Sequence, residues 1–137
     1  TGELIGINSI KIETAEGIGF AVPINIIRPI LESFINKGKF EEAYLGIFAY
    51  DREVIKYLKN DVDFEEGIYV VKISKDGPLA KTNIKTGDII TKIDGNAINK
   101  MSELRSYIYR KNIGDKINLT ITRNKKEYNV DITLSKK

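Results

Sequence analysis

The feature that most restricts how this chain can fold is a strict two-residue alternation near its end. Ile117, Leu119 and Ile121 recur at every second position, and Tyr128, Val130, Ile132 and Leu134 do the same. That period places one set of side chains on a single face of an extended strand. Asn124-Lys125 separates the two runs, so they read as an antiparallel hairpin with one face against a core. The rest of the chain has to supply that core.

From Phe40 onward it does so in short pieces. Leu45 to Tyr50, Ile68 to Ile73 and Ile89 to Ile93 predict strands, and Asp94-Gly95 is a strong hairpin-turn signal. Asp51 is placed to cap a helical turn over Val54, Ile55 and Leu58, and Gly77-Pro78 starts a short turn or helix over Leu79 to Asn83. Met101 to Lys111 predicts a helix that buries Leu104, Tyr107 and Ile108, and Gly114 stops the segment after it. Five or six short strands with two helices imply an α+β, mainly β, fold: a small, partly closed antiparallel sheet capped by helices.

The first residues follow another pattern. Glu3 to Ile10 reads as a strand, and Gly17 to Val22 as a second one ended by Pro23, which has no amide for a ladder. These two can pair as a hairpin. Ile26, Ile27, Ile30, Leu31, Phe34 and Ile35 then form two adjacent columns on one helical face. Asn25 is the expected cap, Gly38 the left-handed residue that ends the helix, and Pro29 falls within its first turns. Such an apolar stripe needs a surface to cover.

Several chemistries are excluded by what is missing. The 137 residues contain no His and no Cys, so neither a Ser-His-Asp nor a Cys-His nucleophile can be assembled from this sequence, and thiolate metal sites are ruled out. The acidic run Asp61, Asp63, Glu65 and Glu66 lacks the Gly and the final Glu of a calcium loop and reads as a solvated turn. Gly17-Ile18-Gly19 reads as strand backbone rather than a phosphate loop. No metal or cofactor is expected. The net charge of +3 comes from lysines late in the chain with no aromatic platform among them, which predicts a solvated face and no nucleic-acid partner. No apolar run approaches the length that spans a bilayer, and no basic-then-apolar leader opens the sequence, so a signal or anchor is expected outside it.

Taken together, Tyr44-Leu45-Gly46-Ile47, Gly77-Pro78-Leu79-Ala80, Gly87-Asp88-Ile89-Ile90, Asp94-Gly95 and Leu104-Arg105 resemble the PDZ domain of HtrA (DegP-type) serine proteases in order and spacing. The residues before Phe40 resemble the same family's trypsin-like domain: Gly2 to Asn8 is similar to the strand after the catalytic serine motif, Gly17 to Pro23 to the next strand, and Ile26 to Lys37 to its last helix. The resemblance implies a protease-domain remnant over residues 1–38 and a PDZ domain over residues 39–137. It places the catalytic serine before Thr1 and the His and Asp much earlier. It also implies a bacterial extracytoplasmic setting. Two residues depart from the family pattern. Asn83 stands where the family usually has Gly, and Lys125 occupies a Gly position, which predicts a longer or different last turn.

A PDZ domain binds the free carboxyl terminus of a polypeptide, and the resemblance assigns that role to the backbone amides of Leu45, Gly46 and Ile47. Gly46 lets a ligand approach the backbone closely. The peptide would add as a strand along Ile47 to Tyr50, in a groove formed by Tyr44, Phe48 and Ala49 on one side and Met101, Arg105 and Ile108 on the other. The last three lie at i, i+4 and i+7, one face of a helix. Leu45, Ile47 and Ile108 would accept an aliphatic or aromatic terminal side chain, Met101 would lie farther along, and Arg105 would favour an acidic or polar residue upstream. Taken singly, Leu45, Ile47 and Ile108 read equally well as core, Met101 as a gap filler and Arg105 as surface.

The expected function is therefore a peptide-binding module of an HtrA-like endopeptidase, recruiting C-termini of unfolded or cleaved proteins and serving a protease domain elsewhere. A second expectation is assembly through residues 1–38, whose strands and helix lack the barrel they would complete. A third, that this sequence is itself a protease, conflicts with its lack of His.

Overall fold

The structure is a computed structural model and describes residues 2–11, 19–58 and 62–137. The chain divides into two compact units, Thr1–Phe40 and Glu41–Lys137.

In the first unit, β1 (Gly6–Lys11) and β2 (Gly19–Pro23) form the expected antiparallel hairpin, with Ile7 opposite Val22 and a register shift between Asn8 and Ile10. Gly17 and Ile18 lie outside the described residues. The helix α1 (Ile24–Lys37) starts two residues earlier than the apolar pattern indicated, directly after β2. Asn25 is therefore inside the helix, and the capping position falls on Pro23, whose backbone is extended and which has no side chain to offer. The Ile24 amide donates instead to the Ile5 carbonyl at 3.0 Å. Pro29 is buried in the second turn. At the other end Gly38 adopts φ +68° and its amide reaches the Phe34 carbonyl at 2.9 Å, as expected for a left-handed terminator. Leu31, Phe34 and Ile35 are exposed, as are Leu4, Ile5, Ile7 and Phe20.

The second unit runs β3 (Ala43–Tyr44), β4 (Ile47–Asp51), α2 (Arg52–Leu58), β5 (Ile68–Ile73), a 3₁₀ turn at Pro78–Lys81, β6 (Ile89–Ile93), β7 (Asn96–Ala97), α3 (Met101–Ile108), β8 (Lys116–Arg123), β9 (Lys126–Thr133) and β10 (Ser135–Lys136). The main sheet is antiparallel in the order β4-β5-β6-β8-β9, with β7 on β6, while β3 pairs with β10 separately. The fold is α+β and mainly β, and its sheets are not closed into a barrel. The strand count exceeds the sequence expectation because β3, β7 and β10 are two residues each, too short to carry a period.

The alternation at the chain's end places Ile117, Leu119 and Ile121 in the core with Val130, Ile132 and Leu134. They pack with Ile68, Val70, Leu79, Ile90 and Ile93, and α3 contributes Leu104 and Ile108. Tyr128 departs from that set. It is exposed toward the hairpin tip, where the Arg123 guanidinium stands 5.6 Å from its ring.

Both hairpin turns are tight. Asp94 and Gly95 have φ of +47° and +79°, and Asn124 and Lys125 have +50° and +62°, with Arg123 paired to Lys126. The last turn is thus no longer than a two-residue loop, against expectation, because Lys125 accepts the left-handed conformation. Asn83, by contrast, has no positive φ, and its carbonyl accepts from Arg123 Nη2 at 2.7 Å. That arginine also donates Nε and Nη2 to the buried Asp88 carboxylate at 2.6 and 2.8 Å, and the Lys85 amide adds a third bond at 2.7 Å. These bonds tie the loop before β6 to β8. The acidic run is described from residue 62, so Asp61 lies outside the described residues. Asp63, Glu65 and Glu66 are exposed there, and Asp63 pairs with Arg52 at 3.8 Å.

Candidate functional site

The groove begins where Gly46 interrupts an otherwise extended segment. The sequence pattern predicts a strand from Leu45, but the strand starts at Ile47, because Gly46 adopts φ +80° and turns the backbone. Its carbonyl accepts from the Ser74 amide at 2.8 Å, which fixes the plane of the turn. A Cβ at Gly46 would stand 2.9 Å from the Cα of Gly77, so the two glycines require each other's lack of a side chain. Leu45 is buried beside this turn. The amides of Leu45 and Gly46 lie at this turn. They are donors in a turn, which is what an anion requires.

Strand β4 continues from this turn along the edge of the sheet. Its sheet neighbour is β5 and the other side is open. A register shift between Phe48 and Ala49 bends the strand locally. Ala49 is buried, whereas Phe48 and Tyr50 are exposed, and the Lys72 ammonium lies 5.8 Å from the Phe48 ring.

The opposite wall is α3, held at both ends. At its start the Glu103 carboxylate accepts the amides of Asn99 and Lys100 at 2.8 and 3.1 Å, and the Asn99 side chain accepts the Gly67 amide at 2.8 Å. The helix ends at Ile108 rather than Lys111, because the amides of Arg110 and Lys111 bond three residues back and tighten the last turn. Toward that end Tyr107 Oη and Lys111 Nζ donate to Asp94 Oδ2 at 2.7 and 3.1 Å, and the Asn118 amide donates to Asp94 Oδ1 at 2.6 Å. Partial burial raises the Asp94 pKa, but these bonds outweigh it and hold the carboxyl below its ordinary value. Tyr107 is pushed up by burial and by Asp94, and Lys111 by its bond to Asp94.

Between β4 and α3 lies a cavity of about 380 Å³. Every residue that the sequence singled out lines it: Tyr44, Leu45, Gly46, Ile47, Phe48 and Ala49 on one side, Met101, Arg105 and Ile108 on the other. Leu104, expected in the core, is there and also reaches the cavity. Tyr50, the expected end of the ligand-pairing strand, lines it too, whereas sequence reasoning missed Glu42, Ala43, Tyr109 and Lys137. Tyr109 was within reach of it as the residue after the helix. Glu42 and Lys137 meet through the β3–β10 pairing, which left no sequence signal, and Lys137 Nζ lies 3.5 Å from Glu42 Oε2. Among the described residues, no cluster of three or more metal-ligating side chains exists.

A PDZ domain family model matches residues 34–134. Over 99% of its length the chain is 36% identical to the serine protease Do-like HtrA of Bacillus subtilis, covering 32% of that protein. It is 35% identical to the periplasmic pH-dependent serine endoprotease DegQ of Escherichia coli, covering 97% of the chain and 30% of that protein. The chain thus spans about a third of the length of the curated relatives it matches. Among solved structures, the HtrA-type protease AlgW with tripeptide superposes with a TM-score of 0.72 at 28% identity, over 99% of this chain and 46% of that one.

Proposed function

The chain belongs to the PDZ domain family, in the form that HtrA-type serine proteases carry, and from that premise we propose that its groove captures the free carboxyl terminus of a polypeptide. The observation that carries this reading is the open edge of β4 facing α3, with the Gly46 turn at its start. A peptide entering as an antiparallel strand satisfies the unpaired edge, and its carboxylate meets the amides of Leu45, Gly46 and Ile47. Its last side chain fills the apolar space between Leu45, Ile47 and Ile108, which suits aliphatic and aromatic residues and the hydrophobic ends of unfolded or cleaved proteins.

In this reading residues 39–137 form the recognition module and residues 1–38 are the end of a trypsin-like domain whose catalytic part lies elsewhere in a longer protein. The module would regulate or feed that protease domain. The periplasmic relatives favour an extracytoplasmic setting. Adding a hydrophobic C-terminal peptide to the ¹⁵N-labelled chain is expected to shift the amide resonances of Leu45, Gly46 and Ile47 first. Saturable binding that leaves those three unmoved would contradict the assignment.

A second reading, assembly through residues 1–38, is favoured by the exposed apolar side chains of Ile5, Phe20, Phe34 and Ile35. It predicts concentration-dependent self-association in sedimentation velocity. A monomer at every concentration up to the millimolar range would dismiss it.

A further inference from the structure

We infer that Met101 is a reversible oxidation site, and that a hydroperoxide converting its thioether to the sulfoxide switches the groove to weaker peptide binding. The inference rests on the peptide-capture reading above and adds a means of regulating it.

The argument starts from where the sulfur is. The sequence contains one Met and no Cys, so Met101 carries its sole sulfur atom. That side chain lines the cavity between β4 and α3. It is half-buried: part of it packs against the core, and the rest stays accessible to a small solute entering the groove. A thioether that a peroxide can reach is oxidisable, whereas one sealed in a core is protected. The surroundings show what would stay fixed. Met101 is the first residue of α3, and other groups hold that end of the helix: the Glu103 carboxylate accepts the amides of Asn99 and Lys100, and the Asn99 side chain accepts the Gly67 amide. Leu104 and Ile108 are buried farther along the same helix. A change at the sulfur therefore alters the groove wall and leaves α3 in place.

The step balances with the peroxide alone as co-reactant. The sulfur lone pair attacks one peroxide oxygen, an S–O bond forms and the O–O bond breaks. Sulfur gives up two electrons, and the second oxygen leaves as water with both protons. A dithiol reverses the change: the sulfoxide oxygen leaves as water while the dithiol closes to a disulfide, the reaction that methionine sulfoxide reductases catalyse. Oxidation turns a flexible apolar side chain into a polar one. The new oxygen accepts hydrogen bonds and holds water against the groove wall. A peptide that packs its own apolar side chains along that wall has to strip this water, and an apolar side chain offers no hydrogen bond in return.

The test is fluorescence anisotropy of the full chain with a labelled, sulfur-free peptide ending in Leu-Val-Leu-Val, before and after treatment with hydrogen peroxide. Mass spectrometry locates the added oxygen at Met101. The oxidised chain is expected to bind about five- to tenfold more weakly. Treatment with the two methionine sulfoxide reductases, one for each sulfoxide epimer, should restore the affinity. In Met101→Leu, whatever affinity it starts from, peroxide should change nothing. Equal affinity of the oxidised and reduced chains overturns the inference while leaving carboxyl-terminal capture intact. So does a Met101 that stays reduced while free methionine in the same tube is oxidised, and so does a loss of the same size in Met101→Leu. Binding by neither form overturns the capture reading itself, and the inference with it.

Discussion

The amide of Ser74 donates to the carbonyl of Gly46 at 2.8 Å, and this bond joins the loop after β5 to the turn that opens the groove. With the Gly46 carbonyl held there, the turn is fixed before any ligand arrives. A site organised in advance loses less entropy on binding.

Gly46→Ala is expected to damage both stability and binding. The substitution forces a side chain onto φ +80° and drives its Cβ to within 2.9 Å of the Gly77 backbone. Gly95→Ala is the natural comparison, since Gly95 has φ +79° with nothing within 4 Å. Gly95→Ala should cost about 1 kcal/mol from backbone strain alone, and Gly46→Ala about 2 kcal/mol or more. Urea denaturation of the two variants isolates the Gly77 contact, and equal losses would refute its importance.

Lys125→Gly is expected to stabilise the chain. Lys125 sits at φ +62° in a two-residue hairpin loop, and its side chain is exposed. Removing the left-handed penalty of a non-glycine residue outweighs the added freedom of glycine in the unfolded chain, leaving a gain of up to about 1 kcal/mol. An unchanged or lowered urea midpoint would show that the turn is unstrained.

The pH dependence of stability should carry the mark of the Asp94 cluster that anchors α3. The Asp94 pKa is lowered on folding, so its contribution is complete above the unfolded carboxylate value and is lost as pH falls through the folded one. Tyr107 and Lys111 are raised, so theirs is complete below their unfolded values and is lost as pH rises through the folded ones. Stability should therefore fall below about pH 4 and again above about pH 10. Tyr107→Phe removes the 2.7 Å bond to Asp94 and should raise the Asp94 pKa toward its ordinary value. An Asp94 titration followed by NMR that is identical in the two proteins would argue against this coupling.

Much of this was legible in the sequence where a local rule decides the outcome. Gly38 and Asp94-Gly95 act where their backbone freedom is needed, and the alternation of β8 and β9 chooses the buried face because a one-residue slip would expose it. What stayed hidden depends on tertiary partners. The Asn25 cap failed because β2 hands the chain directly to α1, and the bulge at Phe48 and Ala49 has no composition of its own. The groove residues from α3 followed from the family resemblance together with helical spacing. Glu42 and Lys137 could not, since they lie 95 positions apart and meet only through a two-residue strand pair.

The most direct test of the central claim is isothermal titration calorimetry of the chain with one hydrophobic C-terminal peptide, prepared as the free acid and as the amide. Capture by the amides of Leu45, Gly46 and Ile47 predicts that amidation weakens binding by about tenfold or more, the loss of roughly one charge-assisted hydrogen bond. Equal affinity of acid and amide would contradict it.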